Sequence, residues 1–371
     1  MLGPLLPLLA ARWSLNDTQS GYLISAQFLG ALAGTTCSGF LLPRVGFRKC
    51  TGTGALLMAL GTGVLLSGGL AIAAAAIFCY GAGIGLTIPA GNLAVAATSA
   101  ERRSPNLSLL NFSWSAGAVS CPFLLAFLEK VGGAGLFVGA VALVFVAMAV
   151  VAFATRDEAP PPISNLAEAD RSRWHNLRSP AAILVGTLFF VYVGTENALG
   201  AWLSSYAKRL SDSPASVWML VSSYFYGSLL AGRALAPFTV QHLSETWQAC
   251  IGATLALLSS IVLVLSRSMT AVAVCAFVAG LGLSTLYPIT ISLLSSSFGE
   301  RAKSIGGFMF ALSTLGGASV PWLVGFVSAE LRSLRAGLMV PLVGCTIMLA
   351  VFSSSQWKLI RARTFPQVAG G

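Results

Sequence analysis

The chain has 371 residues, of which 56% are hydrophobic and only 9% charged, and its mean hydropathy is +0.81. A soluble domain carries about a quarter charged residues, so this composition excludes a water-soluble globular protein and requires lipid as part of the solvent. The formal charge of +10, from 22 Lys and Arg against 12 Asp and Glu, would suggest nucleic acid on a soluble protein; here the basic residues stand between apolar runs, which fits positive-inside loops and no nucleic-acid partner.

The opening run, 1–12, is apolar but too short to cross a bilayer. It lacks the basic start and small-residue cleavage pattern of a secretory signal, so it reads as mature chain. A bilayer core of about 30 Å needs roughly 20 apolar residues of helix. Eleven segments reach that length: 21–42, 49–69, 71–98, 106–128, 134–154, 181–206, 216–240, 247–266, 270–297, 304–327 and 336–356. If the loop holding Arg44, Arg48 and Lys49 is cytoplasmic, alternation places fifteen basic residues on that side, counting Arg233, and seven opposite. This bias sets the orientation and puts the C-terminus in the cytoplasm. The longest polar stretch, 156–180, is Pro-rich and charged and reads as a cytoplasmic linker between two bundles.

The two sides of that linker repeat. Gly81 and Gly83 with Pro89 match Gly280 and Gly282 with Pro288 at an offset of 199, and Gly117 and Pro122 match Gly316 and Pro321 at the same offset. Upstream, Glu101-Arg102 matches Glu300-Arg301, while Phe28-x-Gly30 matches Phe225-x-Gly227 at 197. Small-residue pairs are common in membrane helices, but a constant offset indicates duplicated halves in parallel orientation. Carrying 181–206 back by 197 places its partner at about −16 to 9, which predicts a first helix lacking its beginning.

Twelve helices as six plus six with a central cytoplasmic linker resemble the major facilitator superfamily. The loop Gly39-Phe-Leu-Leu-Pro43-Arg44-Val-Gly46-Phe47-Arg48-Lys49 resembles that family's cytoplasmic motif in its glycines and basic residues, with Pro43 in place of the acid. The resemblance implies a gating role for Gly39, Arg44, Gly46 and Arg48, with a latch weaker than usual or differently built. Tyr192-Val-Gly194-Thr-Glu196-Asn-Ala-Leu-Gly200-Ala-Trp202 and Asn111-Phe-Ser-Trp114 resemble the branch containing the fucose permease and other sugar–proton symporters. The predicted fold is therefore an all-α membrane protein of major facilitator type. Two six-helix bundles, 1–155 (first helix truncated) and 181–371, stand in pseudo-twofold relation and are joined by 156–180.

Glu196 is the one acidic residue deep within a span, where an uncompensated carboxylate costs at least a few kcal/mol. It reads either as a substrate hydroxyl acceptor or ion site, or as an interhelical hydrogen bond. Tyr192 shares its helical face. Asn111, Asn92 and Gln27 are amides that can recognise hydroxyls, because each both donates and accepts, though amides also join helices. Trp114, Trp202, Tyr192 and Tyr287 can stack on a sugar ring or close a gate, or simply pack. Seven scattered cysteines without CxxC or a nearby His give no metal site. No HExxH, GxSxG with partner His, or Walker loop is present, which argues against an enzyme and against an ATP-driven pump.

The expected function is secondary active transport of a small polar solute, a sugar foremost, by alternating access. The expected partners are the solute, a coupling ion (proton or sodium) and the lipid bilayer. No cofactor is expected, and the chain is read as a monomer in a bacterial inner membrane. Efflux of amphipathic compounds, or a non-transporting or sensor-like fragment, is the alternative.

Overall fold

The computed structural model describes residues 1–96, 100–155, 179–210, 214–240, 243–298 and 302–354. Almost all of the expected linker, the Glu300-Arg301 half of the repeat and the side chain of Asn111 lie outside the described residues. The described chain is helical throughout: α1 (Leu2–Trp13), α2 (Asp17–Val64), α3 (Leu70–Ala96), α4 (Ala100–Ala154), α5 (Pro180–Leu210), α6 (Ala215–Trp218), α7 (Val221–Val240), α8 (Glu245–Leu265), α9 (Met269–Leu283), α10 (Leu286–Phe298), α11 (Ala302–Glu330), α12 (Leu334–Gly337) and α13 (Met339–Ser353). Among the described residues, eight helices are long and apolar enough to cross a membrane. The protein is multi-pass.

A straight α2 of 48 residues would run about 72 Å, far beyond a bilayer core of about 30 Å. It folds back at Gly46, whose φ of 82° is left-handed backbone that glycine adopts without steric cost. The 55-residue α4 turns in the same way at Gly132 and Gly133, the latter with φ 75°. These turns fall within the gaps expected between spans at 43–48 and 129–133. The span expected over 270–297 is instead broken between α9 and α10. Pro288 has no N–H to offer the carbonyl of Ser284, so the ladder cannot run straight through. Pro341 has the same effect on the carbonyl of Gly337, between α12 and α13.

The duplicated glycines hold the frame. A side chain at Gly81 would strike the carbonyl of Gln27, and one at Gly83 the carbonyl of Gly54, so α3 lies backbone to backbone against both arms of α2. In the second half a side chain at Gly280 would strike the carbonyl of Phe225 on α7, and one at Gly282 that of Gly252 on α8. The same three-helix unit therefore occurs twice. Its stability comes from close packing, since lipid supplies little hydrophobic drive between helices.

The halves meet along α2 and α11 and along α4 and α7. On the first seam, Ser25 Oγ donates to the carbonyl of Ala318 at 2.7 Å and Phe28 lies over Gly317. On the second, Ser223 Oγ donates to the carbonyl of Val119 at 3.0 Å. The short α1 buries Leu5, Leu6 and Leu9 and crosses α5 where Gly3 meets Gly200.

Candidate functional site

Glu196 lies on the face of α5 that also carries Phe189 and Tyr192, and the neighbouring α7 and α10 complete its surroundings. The Arg233 guanidinium of α7 stands 3.8 Å from the Glu196 carboxylate, Nη2 to Oε2, with both side chains mostly buried at 30% and 16% exposure. The same Nη2 donates to the Tyr192 hydroxyl at 3.3 Å. Tyr192 is buried and stacks on Tyr287 of α10, with ring centroids 5.4 Å apart and planes 26° from parallel. Phe189 closes the Tyr287 ring edge-on at 5.9 Å. Tyr226 of α7 lays its hydroxyl against Gly200, one turn from Glu196.

This arrangement corrects the placement of Arg233 among the cytoplasmic loop residues: it lies within α7 and is the charge partner of Glu196. A loop reading follows from counting inward from the end of an apolar run, because a long arginine stem can carry its head to the interface. The informative signal was a cation within the segment 216–240, opposite in sign to the buried acid. In hydrocarbon an ionised carboxylate calls for a counter-charge. Tyr226 was missed as well, one aromatic among many in membrane helices.

The structure brings Glu196, Tyr192 and Tyr287 together; among the other candidates whose side chains are described, it leaves each apart from this cluster. Trp202 is fully buried, and its indole N–H donates to the carbonyl of Pro321 at 2.8 Å, so it fastens α5 to α11. Asn92 spends an amide hydrogen on the carbonyl of Ile88, one turn back in its own helix, at 3.0 Å. Trp114 is 59% exposed on α4. Gln27 is half-buried on α2, where its backbone receives Gly81. At the candidate gating loop, Gly46 makes the turn, Gly39 has open space beside it and Arg44 donates to the carbonyl of Phe40 at 2.7 Å. Arg48 is exposed. Among the described residues no cluster of His, Cys, Asp and Glu could hold a metal ion.

Chemically, the cluster sets a carboxylate acceptor, a guanidinium with several donors and stacked phenol rings in one place. Such a set can bind adjacent hydroxyls from both sides while a ring covers an apolar C–H face.

The chain is similar to known proteins over most of its length. The model of the Major Facilitator Superfamily matches residues 1–321. Sodium-dependent glucose transporter 1 of Homo sapiens is 22% identical over 97% of this chain and 76% of its own length. Among solved structures, the D-xylose-proton symporter superposes with a TM-score of 0.74 at 17% identity, covering 95% of this chain and 92% of that one. The fucose:proton symporter of E. coli superposes with a TM-score of 0.61, also at 17% identity, over 95% of this chain and 96% of its own.

Proposed function

The chain belongs to the major facilitator superfamily, a family of membrane transporters rather than enzymes, and from that premise we propose that it carries a sugar or similarly hydroxylated solute across the membrane, coupled to an ion. The observation that carries the reading is the Glu196–Arg233 pair set beside the stacked Tyr192 and Tyr287. The sugar transporters among its relatives and structural neighbours support the same substrate class. Its bundles are 1–155 and 181–371. Its orientation follows the basic bias, with the Gly46 turn and the C-terminus in the cytoplasm and the start of α2 outside. A bacterial inner membrane suits its short loops, and a monomer suffices for the function.

In the proposed cycle Glu196 and Arg233 neutralise each other when the site is empty, which removes the cost of a lone charge in a low-dielectric interior. A solute that bonds to both opens the pair. Glu196 then needs another counter-charge, and a proton on its oxygen or a sodium ion beside it supplies one. Ion and solute thus stabilise the same arrangement, and thermodynamic linkage makes each promote the other's binding.

Uptake of radiolabelled glucose, galactose, xylose and fucose into proteoliposomes, under an imposed proton or sodium gradient, tests the proposal. Accumulation of at least one sugar above the external concentration, driven by one of the two gradients, is the expected result. No sugar uptake under either gradient by correctly folded protein would overturn it.

A further inference from the structure

We propose that Asp17 is a latch that closes the outer mouth of the transporter by holding α5 and α11 of the second half against α2 of the first. Asp17 opens α2 directly after Asn16, whose side chain accepts from the Gln19 backbone while the Gln19 side chain accepts from the Asn16 backbone at 3.0 Å. That reciprocal cap fixes the direction in which Asp17 leaves the helix. Arg209, in the last turn of α5, sends both terminal nitrogens to the Asp17 carboxylate, Nη1 reaching Oδ2 at 3.0 Å. Ser328, near the end of α11, donates to the same Oδ2.

The forked contact is the geometry in which guanidinium and carboxylate bind best. Its acid is 13% exposed, although Arg209 is 47% exposed. The acid stands at a helix N-terminus and the arginine at a helix C-terminus, so both dipoles favour the charges where they are.

Below the latch the seam continues inward. Gly325 sits on the carbonyl of Asp17, and Gly21 on the backbone of Trp322. Tyr22 stacks on Trp322 with centroids 6.5 Å apart, and Ser25 bonds to Ala318. Separating the halves at this end must break the forked pair, the serine bonds and the ring stack together. With the forked pair, the serine bonds and the ring stack all formed, the carrier in this structure is closed at the Asp17 end. Calling that face outer rests on the orientation proposed above; the latch itself does not.

The test is a distance measurement on the full chain in lipid nanodiscs, with spectroscopic labels carried by noncanonical residues at Ser67 and Leu331. Both are exposed and lie in turns at the Asp17 end of different halves. In the parent the short separation dominates. Asp17→Asn and Arg209→Gln each raise the long-separation population about fivefold or more, the effect of losing about one kcal/mol. Exchanging the two charges, Asp17→Arg with Arg209→Asp, returns it toward the parent. Ser328→Ala leaves both charges in place and shifts the distribution the same way by less, so the test stands even where Asp17→Asn does not fold. Distributions for Arg209→Gln and Ser328→Ala that superimpose on the parent would overturn the proposal. Because the readout is a distance, failure of the transport reading would appear separately, in the uptake assay.

Discussion

In the first half, Gly81 and Gly83 of α3 press on the backbones of Gln27 and Gly54; in the second, Gly280 and Gly282 of α9 press on those of Phe225 and Gly252. The chemistry beside these frames differs. The second half carries Tyr226, Arg233 and Tyr287. Gly81 meets Gln27 and Gly280 meets Phe225, which sets α2 and α7 in register at 198 rather than the 197 read from the sequence, so the matching first-half positions hold Phe28, Thr35 and, at 199, Ile88. Residues that set the spacing between helices recur because both bundles need the same close approach. Residues of the proposed solute and ion site are free to diverge, and here that cluster lies in one bundle.

The strongest way to break this comparison is to damage the frame. Gly83→Leu and Gly282→Leu should each cost about 3 kcal/mol or more, because the new side chain meets backbone that cannot move aside. Monodisperse yield and thermal midpoint in detergent would show similar losses from the two halves. A large loss in one half and none in the other would mean that the frames are not equivalent.

Charge comes next. Arg233→Gln leaves the Glu196 carboxylate without its counter-charge and should destabilise the protein by about 1–3 kcal/mol, a range reduced because both groups are partly exposed. The double variant Glu196→Gln with Arg233→Gln should recover part of that loss, and thermal melts of the set would reveal the coupling. At the matching first-half position, Thr35→Val should change stability by no more than about 0.5 kcal/mol.

A smaller effect is expected from Tyr192→Phe. It removes the hydroxyl that accepts from Arg233 while keeping the ring on Tyr287, and about 1 kcal/mol is the usual net value of such a bond. The loss should appear as a small fall in thermal midpoint, well below that of Arg233→Gln. Asn92→Ala should do least: among the described residues its amide bonds to Ile88, within its own helix, so transport and stability should both stay near the parent.

The fold was legible in the sequence because lipid imposes a simple constraint: every backbone group must be paired within its own span, so apolar length reports helices directly. The paired GxG motifs exposed the duplication, and the structure gives each glycine the same neighbour in both halves. Glu196, Tyr192 and Tyr287 could be picked out because a deep acid and nearby phenols are unusual in hydrocarbon. Arg233 was missed, since its distance along the helix says nothing of where a flexible stem delivers its charge. For Trp202 the sequence leaves stacking, gating and packing open, because an aromatic on a span has the same signature in each case; the bond to Pro321 shows what it packs against. The Asp17 seam depends on contacts between residues some 200 to 300 apart in the chain, which no local pattern reveals.

The central claim is that Glu196 links ion movement to solute movement, and Glu196→Gln addresses it most directly. Glutamine keeps the size and most of the hydrogen bonding but cannot take up and release a proton or carry the charge that attracts a cation. In proteoliposomes with an imposed ion gradient, the variant should lose accumulation by about tenfold or more, the effect of about 1.4 kcal/mol of lost coupling. It should still exchange internal for external sugar in counterflow. If Glu196→Gln accumulates sugar against its gradient as the parent does, Glu196 only holds α5 to α7 and the account of coupling is wrong.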